Sequence, residues 1–143
     1  MANPRQSNRH ERKRLSDRVR AQQGPCGICL GRIDYSFTTW TDPKDRKVKP
    51  HPMRYELDEI NPIALWEKYG YPSKTAAALD PNNMQASHRY CNQWKGKHTM
   101  KWVQAHRHEL REELTRRGYA RWPKAGAEAE PAARKKPVTS RSW

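Results

Sequence analysis

Two short motifs constrain this chain more than anything else in it. Cys26-Gly27-Ile28-Cys29 and His88-Arg89-Tyr90-Cys91 between them use every cysteine in the 143-residue sequence. The two-residue gap of the first lets both thiolates converge on one tetrahedral ion from a tight turn. The i, i+3 spacing of the second puts His88 and Cys91 on the same side of a helical first turn. Three thiols are an odd number and two sit two residues apart, so a disulfide framework fits poorly and a reduced metal site fits well. The spacing predicts a Cys3His zinc site made by Cys26, Cys29, His88 and Cys91.

Composition explains why a metal would be used. Only 34% of the residues are hydrophobic and 31% are charged, which supplies one modest core and excludes a second full domain. Structural zinc contributes roughly 10–16 kcal/mol in finger peptides, coupled directly to folding. No run of about 18 apolar residues occurs, so no membrane-spanning helix is expected. The stretch Met1-Ala2-Asn3-Pro4-Arg5 lacks the apolar core of a secretory signal, and the expected location is a cytoplasm.

The net charge of +14 points to a polyanionic partner. It is concentrated at the ends: seven Lys or Arg against two acids in residues 1–24, sixteen against eleven in 25–119, and six against two in 120–143. Three regions follow. Residues 1–23 form a basic arm, helical by its composition and stopped by Gly24-Pro25. Residues 24–119 form the domain proper. Residues 120–143, rich in Ala, Pro, Lys and Arg, form a basic tail expected to be disordered.

Within the domain, Ile33, Tyr35 and Phe37 alternate at period two and predict a strand over 32–37. Residues 41–52, with three prolines, read as a loop. Met53, Tyr55 and Leu57 predict a second strand running to Asp58 and closed by Pro62. Residues 63–69 predict two helical turns before Gly70, and Asp80-Pro81-Asn82-Asn83 a turn. A helix is expected from Ser87, as N-cap, to Lys95, and a final one from Met100 to Arg117, stopped by Gly118.

A second constellation lies beside the zinc ligands. Asp58 ends the second strand, Asn83 lies five residues before His88, and Asn92 follows Cys91 directly. A carboxylate and a carboxamide oxygen converging on one point make a hard, incomplete site of the kind that holds Mg²⁺ with waters and phosphate oxygens. Four segments, in order, resemble the HNH endonucleases, in particular small phage-encoded ones: Cys26-Gly27-Ile28-Cys29; Glu56-Leu57-Asp58-Glu59-Ile60-Asn61-Pro62; Asn82-Asn83-Met84-Gln85; and His88-Arg89-Tyr90-Cys91-Asn92-Gln93-Trp94-Lys95-Gly96. The likeness spans about residues 24 to 100.

The resemblance implies an α+β chain with a ββα-metal (His-Me finger) core beside a structural zinc. It implies that Asp58 and Asn92 bind a catalytic Mg²⁺ or Mn²⁺ and that Asn83 braces the hairpin loop through backbone hydrogen bonds. The family's Asp-His, whose His is the general base, is here Asp58-Glu59. Glu59 then serves as base or further metal ligand, with His51 as the alternative base. The family's Gly-Gly after the strand is also missing. The implied activity is hydrolysis of DNA phosphodiester bonds, and the implied setting is a phage, beside a terminase in genome packaging. Arg89, Lys95, Lys97 and Lys101 are expected to neutralise DNA phosphates. Trp94, Trp102, His98, His106 and His108 are expected at the surface or in the core. The rival expectations are a zinc-stabilised nucleic-acid-binding module without chemistry and a basic ribosome-associated zinc module.

Overall fold

The computed structural model describes residues 4–120 and Trp122; the rest of the expected C-terminal tail lies outside the described residues. The chain is mixed α+β. Two short helices, α1 (Pro4–Ser7) and α2 (Arg9–Ala21), precede the Cys26–Cys29 turn. A small hairpin follows, β1 (Thr39–Thr41) with β2 (Val48–Pro50). The central hairpin pairs β3 (Tyr55–Glu59) with β4 (Met84–His88) antiparallel, with Tyr55 opposite His88 and Asp58 opposite Gln85. Between its strands lie 3-10 turns at Ile63–Leu65 and Pro81–Asn83 and the short helix α3 (Lys74–Leu79). Helix α4 (Arg89–Lys95) leaves β4 without a break, and α5 (Met100–Arg116) closes the domain. No helix among the described residues is long and apolar enough to cross a membrane.

Several local expectations are corrected. Residues 32–37 are not a strand: Ile33 and Tyr35 are buried and Arg32 and Asp34 exposed, as alternation demands, but the segment has no ladder. The region read as a proline loop, 41–52, holds the end of β1, the hairpin turn and all of β2 instead. Its turn is held by Asp42, whose carboxylate accepts the Lys44 amide at 2.9 Å, with Arg46 at φ 62°. The helix expected behind a Ser87 N-cap starts one residue later. Ser87 and His88 end β4, and His88 occupies the N-cap position with no side-chain cap. The two turns expected over 63–69 reduce to the single 3-10 turn, and α3, capped by Ser73 Oγ accepting the Ala76 amide, was not foreseen.

The core gathers around the cysteine turn. Ile28, Ile33, Met53, Tyr55 and Ala86 pack with Val103, Leu110 and Leu114 from one face of α5. Those three residues recur at helical spacing, so burying them fixes the helix's rotation. Helix α2 buries no residue fully and is fastened by polar contacts instead. Ser16 exchanges hydrogen bonds with the Tyr55 hydroxyl, Arg20 donates to the Tyr35 carbonyl at 2.8 Å, and Arg12 donates to the Ala78 carbonyl at 2.9 Å.

Candidate metal centre and adjoining acidic cleft

The ligand atoms of Cys26, Cys29, His88 and Cys91 all lie within 4.8 Å of one another, and all four residues are buried. A tetrahedron with 2.3 Å zinc–sulfur arms has edges of about 3.8 Å, so the cluster is of the right size. The four could hold a zinc ion. Amides of Ile28 and Cys29 point at Cys26 Sγ, and that of Gly31 at Cys29 Sγ, each at 3.4 Å. These donors stabilise thiolates. His88 Nε2 lies 2.9 Å from the Arg32 carbonyl, which can only accept, so this nitrogen carries the proton. Nδ1 is the nitrogen turned towards Cys29 Sγ (3.4 Å) and Cys91 Sγ (3.6 Å), the orientation a metal-ligating imidazole needs.

The electrostatics of the cluster call for a cation. Burial pushes the Cys26 thiol up, but hydrogen bonds from Cys29, Cys91 and His88 outweigh it and hold it well below the usual thiol range. Its hydrogen bond to Cys26 foremost, Cys29 is pushed up to about 12, and Cys91 is raised by its hydrogen bonds to both. A divalent ion is what would let all three thiols ionise together.

Strand β3, α4, the N-terminal helices and the turn at 62–64 enclose a cleft of about 460 Å³, lined by Asp58, Glu59, Asn92, Lys95, Arg5 and Lys97 among others. The sequence-expected acid and amide therefore share one cleft. Asp58 is 3% exposed and both its oxygens are engaged: Lys95 Nζ donates to Oδ1 at 3.2 Å and Gln85 Nε2 to Oδ2 at 2.8 Å. Burial pushes its carboxyl up, and Lys95 and Gln85 offset this only in part. Asn92 donates from Nδ2 to Glu56 Oε1 at 3.1 Å, and Glu56 Oε2 in turn takes Arg89 Nη1 at 2.7 Å.

Asn83 sits at the mouth of the hairpin. Its Oδ1 accepts the Asn61 amide at 2.8 Å, and its Nδ2 donates to the carbonyls of Asn61 (3.0 Å) and Ala77 (3.2 Å). It touches backbone only.

Glu59 is not poised to accept a proton. Its carboxylate is held by Arg5 through two hydrogen bonds, at 2.7 and 3.2 Å, and by Arg12 at 2.7 Å. Burial pushes its carboxyl up, yet the two guanidiniums win and hold it below the usual range. His51 is placed elsewhere. It stacks on Phe37 at 4.2 Å and accepts the Met53 amide on Nδ1, and it does not line the cleft.

Of the four expected phosphate contacts, Lys97 and Lys101 are exposed, Arg89 is paired to Glu56, and Lys95 is buried. At 1% exposure it is an interior ammonium, donating to Asp58 and to the Glu59 carbonyl at 2.7 Å. Trp94 and Trp102 are half-buried, with Trp102 stacked between His98 at 3.6 Å and His106 at 4.4 Å; His108 is exposed.

Sequence reasoning missed Glu56, Gln85 and the two arginines. Glu56 had a signal, since it shares a strand face with Asp58 at i, i+2. Gln85 is opposite Asp58 only once the register is known. Arg5 and Arg12 reach Glu59 from a helical arm with no local cue. Set against protein-family models, curated proteins and solved structures, the chain matches none.

Proposed function

We propose that this chain is a divalent-cation-dependent endonuclease of HNH type that hydrolyses DNA phosphodiester bonds on a ββα-metal core stapled by zinc. One observation carries the reading: a single antiparallel hairpin running into a helix brings Asp58 and Asn92 to one cleft while its last residue, His88, joins the Cys3His cluster. Asp58 and Asn92 offer hard oxygen donors, which fit Mg²⁺ or Mn²⁺. The bound ion would supply charge stabilisation to a phosphate oxygen and the leaving oxygen.

The chain's own residues do the rest. Asn83 fixes the connection between the two strands by satisfying Asn61 and Ala77. Glu56 takes the Asn92 amide nitrogen and so settles which side of that amide remains to accept. Lys97 and Lys101, with the basic arms, draw in the phosphate backbone without reading bases. Glu59 can take a proton only where Arg5 and Arg12 are drawn off it. The resemblance alone supports a phage source and a place beside a terminase.

The second reading, a zinc-stabilised module that binds nucleic acid without cutting it, is favoured by the neutralised acids: Lys95 on Asp58, and Arg5 with Arg12 on Glu59. Supercoiled plasmid incubated with zinc-loaded protein separates the two. Nicking or linearisation that requires Mg²⁺ or Mn²⁺ and disappears in Asn92→Ala is the expected result. Plasmid retarded on a gel yet uncut with every ion would overturn the nuclease and leave the binder.

A further inference from the structure

Lys95 is the least expected residue of the cleft. It belongs to the last turn of α4, a position where a lysine ordinarily extends into water. Here its side chain turns inward, and Gly96, at φ 53°, ends the helix directly behind it. The ammonium contacts two oxygens of β3, the Asp58 carboxylate and the Glu59 carbonyl. Burying a lysine to this degree is costly unless its charge is met, and Asp58 meets it. One carboxylate oxygen and one backbone carbonyl are also hard donors of the kind a divalent cation takes.

We propose that the Lys95 ammonium is a built-in competitor for the cation position of Asp58, so that a divalent ion enters only as Lys95 moves off. This rests on the nuclease reading of the cleft. Two cations on one carboxylate oxygen a few Å apart repel strongly in a buried site, so both cannot occupy Asp58 together. Gln85 need not move. It is a neutral donor on the other oxygen, and its side chain is wedged against Gly27 of the cysteine turn, where a Cβ would lie 2.0 Å from Gln85 Oε1. Lys95 and Lys97 line the same cleft, so the displaced ammonium stays where a DNA phosphate would arrive. Every charge keeps a partner: the carboxylate exchanges an ammonium for the ion, and the ammonium exchanges a carboxylate for the phosphate.

Mn²⁺ binding to the zinc-saturated protein, followed by the electron-spin-resonance signal of free Mn²⁺, tests this without reference to cleavage. Lys95→Met and Lys95→Gln should each bind Mn²⁺ at least about tenfold tighter than the unaltered protein, and the gain should vanish when Asp58→Asn is added. In the unaltered protein, saturating Mn²⁺ should raise the labelling of Lys95 by an amine reagent, read by peptide mass. That measurement needs no variant to fold. Equal, Asp58-dependent Mn²⁺ affinity in all three proteins, with Lys95 still protected, would overturn the competition and leave the nuclease reading standing. No Asp58-dependent Mn²⁺ binding in any of them would overturn both.

Discussion

Replacing Glu59 by Gln keeps the shape of the side chain and removes the charge that two arginines share. The consequence can be worked from their exposures. Arg12 is 13% exposed and keeps only the Ala78 carbonyl and the Met84 sulfur as other partners, whereas Arg5 is 49% exposed and recovers water. Removing one partner of a buried pair costs about 3–5 kcal/mol, while an exposed pair is worth about 1 or less. With Arg12 retaining a carbonyl, Glu59→Gln should cost about 2–4 kcal/mol at pH 7, or roughly 8–15 °C in melting temperature. Arg12→Met should cost more than Arg5→Met.

The same variant carries a pH signature. Glu59 is held below its ordinary value of 4.5, so its contribution is complete above that value and is lost as pH falls through the lower, folded-state value. The stability difference between the unaltered protein and Glu59→Gln should be level from pH 7 to about 5 and close below that. Protonation of the zinc ligands lowers the stability of both proteins alike, so the difference isolates Glu59. Urea unfolding of the zinc-saturated pair across pH is the assay. A difference under about 0.5 kcal/mol at neutral pH, or one that widens as pH falls below about 5, would refute the reasoning.

Other outcomes follow from the same geometry. Cys91→Ser, or a strong chelator at neutral pH, should remove stoichiometric zinc and abolish cooperative unfolding, read by elemental analysis with circular dichroism, because the core is small beside what a structural zinc contributes. Asn83→Ala leaves three backbone groups without their partner and should destabilise by about 2–3 kcal/mol in urea. Gly27→Ala forces the flexible end of Gln85 off Asp58; it should cost under about 1 kcal/mol in stability while weakening Mn²⁺ binding and any cleavage. Lys97→Gln with Lys101→Gln should reduce the salt dependence of DNA binding by about two units of slope, measured by titration at several ionic strengths.

What could be read from the chain beforehand was what depends on short spacing. The Cys3His cluster was legible because a two-residue gap and an i, i+3 pair are local geometry, and the neighbourhood of Asp58 and Asn92 came with it. Strand β3 was legible from the alternation of Met53, Tyr55 and Leu57. The same alternation misled at 32–37, where it marks one-sided burial of Ile33 and Tyr35 without a partner strand. Prolines hid β2, since Pro50 is tolerated at a strand's end. Lys95 was assigned to the surface by its residue type, a rule that holds until a carboxylate in the interior needs a cation. The pairing of Glu59 with Arg5 bridges 54 residues and leaves no trace in any window of the sequence.

The cysteine turn has one further set of partners. Arg107 and Arg111 of α5 donate to the carbonyls of Ile28 and Cys29, 79 and 82 residues away, and the Trp122 ring lies where a side chain on Gly31 would be. A ribosome therefore releases the first two cysteines of the cluster long before the chain can enclose them: His88 lies 59 residues beyond Cys29, and the covering helix later still. Non-local closure of this kind is slow. The nascent chain must carry Cys26 and Cys29 as an open pair of thiols for at least the 59 residues that lead to His88, exposed to oxidation and to stray metals, so the redox state met during translation bears on the yield of folded protein as much as its final stability does.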